Sequence, residues 1–235
     1  MSENIQNKQF MLYRTILSSP SRGLSLAIHL TSVTSFLWSF FWMFRNGNEI
    51  ILFSYGSFFQ HLTVLSLLLS LITGVTASLS DIFLSKVLYE IKLLLQYVCC
   101  PLEMLVSFLY WGIALYDRGL LRPDEFEPAP LIFDLSVHIF PTIFLLFDYF
   151  FLSPPFKAPV KHFGVFFVLI TAGYYYWVER CYVRNKFYAY PLLEYLSTHE
   201  KVLLFGFASA LSLVFYTVLK SMNIVKLRVK KAHSA

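Results

Sequence analysis

At 235 residues the chain is 57% hydrophobic and 19% aromatic but only 14% charged, with a mean hydropathy of +0.61. A soluble domain carries about 25% charged residues, and here the deficit falls in long charge-free runs, which excludes a soluble globular protein and marks a polytopic membrane protein. The net charge of +5 and a pI near 9.0 would suggest nucleic acid in a soluble chain, but these basic residues sit between apolar runs and at the C-terminus, where they act as topology signals.

The first charge-free run, Gly23 to Phe44, follows Lys8, Arg14 and Arg22 and predicts a helix over about 24–44. It is longer than the roughly 7–15 residues of a cleavable signal core, so it is expected to stay as a signal anchor. After the polar turn Arg45-Asn46-Gly47-Asn48-Glu49 comes a run from Ile50 to Ser80, longer than the roughly 20 residues one span needs. Tyr55-Gly56-Ser57 is the natural break in it and leaves a second helix over 58–79. Asp81 to Lys92 is read as a mixed-charge connection at the membrane interface.

The third helix, 93–116, carries Pro101 and the carboxylate of Glu103 near its middle, where an acid costs about 3 kcal/mol. Asp117 to Pro130 is charged and proline-rich, hence an extramembrane loop. A fourth helix over 133–152 lies within the apolar stretch Leu131 to Leu152 and holds His138. Lys157, Lys161 and three prolines mark the next turn, and a fifth helix over 162–182 contains Tyr174, Tyr175, Tyr176 and Trp177, a band expected at headgroup level. The sixth helix covers 202–219, and residues 220–235 form a basic tail.

The fold expected is therefore all-α: a single transmembrane domain over 1–235, a bundle of six spans with both termini on one side. Twelve of the 19 Lys and Arg fall on the side of the termini, which makes that side cytosolic by the positive-inside rule. Cys99, Cys100 and Cys181 form no CxxC pair or His/Cys cluster, so no disulfide framework and no metal site is implied. The six histidines are dispersed, unlike the clustered ligands of membrane desaturases. There is no GxSxG, HExxH or GxxxxGK[ST] sequence, which removes the serine α/β-hydrolase, zincin and P-loop classes.

In this topology the second and fourth helices both start on the non-cytosolic face. Thr63 and His138 each lie about five residues in, roughly 7 Å below that face at 1.5 Å per residue. A hydroxyl and an imidazole at matched depth are a nucleophile and a general base if the helices are neighbours. The bland alternatives are a threonine bonded to its own i−4 carbonyl and a histidine bridging two helices. His61 points to another side of its helix than Thr63 and suits an interfacial role, His29 a structural one, and His162, His199 and His233 lie at helix ends or in the tail.

Several short motifs around these positions resemble the androgen-induced and androgen-dependent membrane proteins of the FAR-17a type. They are Gly56 followed by Leu62-Thr63; Trp111 leading into Tyr116-Asp117-Arg118 with Pro123 behind; His138 trailed by Pro141; and Tyr190-Pro191-Leu192-Leu193. The resemblance implies an intramembrane hydrolase of the endoplasmic reticulum or another endomembrane, with the lipid bilayer and a lipid ester as its partners and no cofactor. Its substrates would be fatty acid esters of hydroxy fatty acids, with Thr63 as nucleophile and His138 as base. The oxyanion donors it requires are sought at the backbone N–H groups opening the second helix and at the Tyr190 hydroxyl.

Two positions depart from the family pattern. Asp134-Leu135 stand where the family has Asn-His, which removes one possible polar partner for the histidine; Asp134 itself, with Tyr190 and Glu103, remains a candidate for contacting the substrate or supporting the site. Glu103 stands where the family has a small or apolar residue, deeper than the Thr63/His138 level, and is not assigned to orienting His138. A small transporter or proton relay through Glu103 and His138 is the competing reading, although the chain shows no internal repeat. A non-catalytic membrane scaffold is a third.

Overall fold

The computed structural model describes residues 20–122, 128–156 and 158–232; Lys8, Arg14, Pro123, Lys157 and His233 lie outside them. All regular structure among the described residues is helical. In chain order it comprises α1 (Leu24–Asn46), α2 (Glu49–Phe53), a 3-10 turn (Ser57–Gln60), α3 (Leu62–Phe83), α4 (Lys86–Tyr116), a second 3-10 turn (Arg118–Leu120), α5 (Leu131–His138), α6 (Phe140–Phe147), a π turn (Asp148–Leu152), α7 (Val160–Asn185), α8 (Leu192–Tyr195) and α9 (Thr198–Ala232). By length and composition α1, α3, α4 and α9 can each cross a membrane, and α5 with the segment that follows it makes a fifth span bent by 42°. The 26-residue α7 is long enough, but Glu179, Arg180 and Arg184 lower the apolarity of its second half.

The bend falls where the sequence carries Pro141. Proline offers no N–H to the Val137 carbonyl, and its ring crowds that carbonyl. The single fourth helix expected over 133–152 is therefore broken at Ile139. Ser107 of α4 donates to the His138 carbonyl that the break leaves open. Thr142, one residue past the proline, donates to the Glu103 carbonyl at 2.8 Å. The break makes His138 the last residue of α5 rather than a mid-helix one.

Small residues let the helices approach. Ser66, Ser70, Thr73, Gly74, Ala77 and Ser78 are buried on α3. A Cβ on Gly74 would lie 3.1 Å from Val33 and 3.2 Å from Ser32 of α1, so glycine sets that spacing, as small residues do between membrane helices.

Two expectations at the other end of the bundle are corrected. The stretch Asp81 to Lys92 is not an interfacial connection: α3 runs on to Phe83, Leu84 takes a left-handed φ of 51°, and the Ser85 side chain caps α4. The turn is only two residues long because Asp81 and Lys92 are drawn inward by partners. Lys92 Nζ lies 2.6 Å from Asp148 Oδ1 and donates to Ser153 Oγ, also at 2.6 Å. Gln96 donates to the other Asp148 oxygen at 3.0 Å. His29 Nδ1 meets Asp81 at 2.9 Å and its Nε2 faces Asp148 at 3.4 Å. Two carboxylates, one ammonium and one imidazole thus meet in a buried cluster joining α1, α3, α4 and the π turn. The basic tail expected from residue 220 is likewise a continuation of α9 as far as Ala232.

Removing one member of a buried ion pair leaves an uncompensated charge. Lys92→Met should lower stability by about 3–5 kcal/mol, read as a drop in the unfolding temperature of the purified protein in detergent. Adding Asp148→Asn should recover much of the loss.

Candidate functional site

The site begins with a turn. Gly56 has φ +87°, a left-handed value that L residues rarely adopt, and a Cβ there would lie 2.9 Å from Cys181 Sγ. The turn carries the chain from α2 to α3 and is tied to α7 by side chains. Trp177 Nε1 donates to the Phe59 carbonyl at 2.9 Å, and the Tyr174 hydroxyl to the Gln60 carbonyl at 3.0 Å. Asn185 spans the Tyr55 backbone, accepting from its N–H at 2.8 Å and donating to its carbonyl at 2.9 Å. Tyr174 and Trp177 thus hold a turn rather than sitting only at headgroup level. Tyr176, 69% exposed, keeps the outward role.

This anchoring decides the state of Thr63, second residue of α3. Thr31, Thr34, Thr73, Thr76 and Thr217 each donate to the carbonyl four residues back. For Thr63 the corresponding carbonyl, that of Phe59, lies in the 3-10 turn ahead of α3 and accepts the Trp177 indole N–H, while the Thr63 hydroxyl meets that of Tyr190. The Thr63 side chain also lines two cavities.

One cavity, of about 120 Å³, runs between α4, α7 and α9 and is walled by Leu102, Leu105, Val106, Phe167, Ile170 and Phe205 among others. The other, of about 510 Å³, opens toward the loops and brings together Thr63, His61, Tyr110, Asp134, His138 and Tyr190. Thr63 and Tyr190 line both, so they stand where the apolar chamber meets the polar one.

His138 is held on two sides. Its ring stacks on Tyr110 of α4, with centroids 3.3 Å apart and planes 7° apart. Its Nδ1 lies 3.0 Å from Asp134 Oδ1, one turn earlier on α5, and the Tyr110 hydroxyl donates to the same oxygen. An Nδ1–H pointed at a carboxylate leaves the Nε2 lone pair as the basic atom. Asp134, one of the candidates for supporting the site, is thus the polar partner of His138 in place of the family's Asn-His. The i, i+4 spacing of Asp134 and His138, which puts both on one helix face, carried that signal. Tyr110, which the sequence reading did not single out, has no such local signature.

Tyr190 sits at the head of α3. Its hydroxyl oxygen accepts the Leu62 N–H at 3.1 Å, so the two groups sought as oxyanion donors are bonded to each other. The same hydroxyl meets the side chains of Thr63 and Tyr174, and burial pushes its pKa up, which keeps the phenol protonated. His61, whose ring meets Tyr190 edge-on at 5.1 Å, donates its Nδ1–H to the Phe58 carbonyl at 3.1 Å. Burial lowers its pKa and favours the neutral ring. The structure does not bring Glu103 to this place. That carboxylate accepts the Ser70 hydroxyl at 2.7 Å between α3 and α4 and lines neither cavity.

Residues 24–224 match the family model described as FAR-17a/AIG1-like protein. The chain is 45% identical over 206 residues to a UPF0641 membrane protein of Schizosaccharomyces pombe, covering 87% of this chain and 92% of that one. It is 29% identical over 194 residues to the androgen-dependent TFPI-regulating protein of Mus musculus, covering 76% and 81%. The counterpart of that protein in Rattus norvegicus is 28% identical over 192 residues, covering 73% and 81%. No solved structure matches. The chain is a member of the FAR-17a/AIG1-like family of membrane proteins.

The turn that presents Thr63 depends on Gly56. Gly56→Ala forces a left-handed alanine against Cys181 and should cost about 1–3 kcal/mol. This would appear as an unfolding temperature lower by about 2–4 °C per kcal/mol; an unchanged value would show that the turn tolerates a Cβ.

Proposed function

We propose that the protein is an intramembrane ester hydrolase with Thr63 as nucleophile and His138 as general base, acting on fatty acid esters of hydroxy fatty acids. The observation that carries this reading is the cavity that Thr63 and His138 share, at the point where it joins an apolar chamber. Six spans with both termini cytosolic, α7 among them, and residence in the endoplasmic reticulum or another endomembrane belong to the same reading.

In this mechanism His138 Nε2 takes the Thr63 hydroxyl proton as Oγ1 attacks the ester carbonyl. Asp134 on Nδ1 fixes the tautomer and steadies the imidazolium that forms, and the Tyr110 ring prevents the imidazole from turning. The tetrahedral oxyanion accepts the Tyr190 O–H, whose oxygen is pinned by the Leu62 N–H. Collapse breaks the ester C–O bond, and His138 returns its proton to the leaving alkoxide. Water, deprotonated by the same imidazole, then attacks the acyl-threonine and releases the fatty acid and Thr63.

Two features support this over a relay through Glu103 and His138. Glu103 is tied to Ser70, and the links between its level and His138 run through Ser107 and Thr142 to backbone carbonyls, which cannot pass a proton along.

Purified protein in detergent should hydrolyse a fatty acid ester of a hydroxy fatty acid. Thr63→Ala and His138→Ala should each abolish this without unfolding the protein. Asp134→Asn, which spoils the tautomer, should lower kcat by on the order of 10² to 10⁴. Full activity in either alanine variant would overturn the assignment.

A further inference from the structure

The polar chamber has a cationic wall that the mechanism does not use. Arg118 and Arg122 line the same cavity as Thr63 and His138. Tyr110 stacks on His138, and Arg118 follows eight residues later, roughly two helical turns on, in the 3-10 turn just past the end of α4. This places it at the mouth of the chamber rather than beside the reacting atoms.

Among the described residues, the carboxylates nearest Arg118 in the chain are otherwise engaged. Asp117 Oδ1 accepts the Gly119 N–H at 2.8 Å, capping the 3-10 turn. Asp134 Oδ1 accepts from Tyr110 and faces His138. Among the described residues no salt bridge to Arg118 is formed.

An ester whose carbonyl sits at Thr63 must send one arm into each chamber. The apolar chamber carries no Lys, Arg or His among its lining residues and suits a plain acyl chain. The arm that enters the polar chamber passes His138, which must protonate it as it leaves, and runs toward the guanidinium groups.

We propose that Arg118 forms an anion subsite for a carboxylate or phosphate on the alcohol part of the ester. This rests on the hydrolase reading and adds to it the residue that would hold the free carboxylate of the hydroxy acid. A guanidinium offers paired N–H donors that match either anion. The subsite would make the protein selective for esters whose leaving alcohol is itself an acid.

The test compares kcat/KM for three esters sharing one acyl chain: an acyl ester of a hydroxy fatty acid, the methyl ester of that same molecule, and an acylglycerol phosphate. The wild-type protein should favour the free acid over its methyl ester by about tenfold or more, the value of one charge-assisted contact. Arg118→Gln should bring that ratio close to one, chiefly through KM, and Arg118→Lys should keep part of it. If the phosphate ester also depends on Arg118, the anion recognised includes a lipid headgroup; if only the free acid does, the anion is the carboxylate. Each of these results supports the subsite. A wild-type ratio near one, or a ratio that Arg118→Gln leaves unchanged, overturns it. Hydrolysis of none of the three esters by the folded wild-type protein overturns the hydrolase reading instead.

Discussion

The indole N–H of Trp177 bonded to the Phe59 carbonyl is a small contact on which the rest of the site depends. A threonine in a membrane helix ordinarily gives its proton to the carbonyl one turn back, and five others in this bundle do so. Thr63, at the second position of α3, has no helical turn behind it, and its side chain meets Tyr190 and lines the cavity. The left-handed Gly56 and the bonds from Tyr174 and Asn185 hold the same turn, so the position of Thr63 is set by several residues of α7.

Buried polarity is distributed in two ways. Around Asp81, Lys92, Asp148 and His29 the polar side chains are buried against one another. The consequence is that four segments are fixed against one another. Around Thr63, His138 and Tyr190 the polar groups face a cavity. Asp134 and Tyr110 restrain the imidazole but leave one nitrogen available. Structural and chemical use of the same residue types thus separates by whether the last partner is protein or open space.

Much of this was legible in the sequence. Composition gave the membrane class and the runs gave the helices, although α4 begins at Lys86 rather than 93 and α9 runs on to Ala232 rather than 219. The depth expected of Thr63 and His138 assumed about five residues to each, whereas Thr63 is the second residue of α3 and His138 the last of α5. What the sequence withheld depended on contacts between distant residues. Asp81 and Lys92 look like loop charges until their partners on α1 and the π turn are known. The break at Ile139 was available locally, in Pro141, and a helix drawn through it misplaces His138 within its element. Asp134 was readable from its i, i+4 spacing with His138. Tyr110 and Trp177 needed the fold, since nothing local distinguishes them from the other aromatic residues of this chain.

The central claim is that Thr63 is an activated nucleophile. Treating the folded protein with a lipid fluorophosphonate and mapping the adduct by peptide mass spectrometry tests this most directly. The account predicts one adduct, on Thr63, that is absent from His138→Ala and suppressed by excess lipid ester. An adduct on another residue, or equal labelling of Thr63 when His138 is alanine, would contradict it.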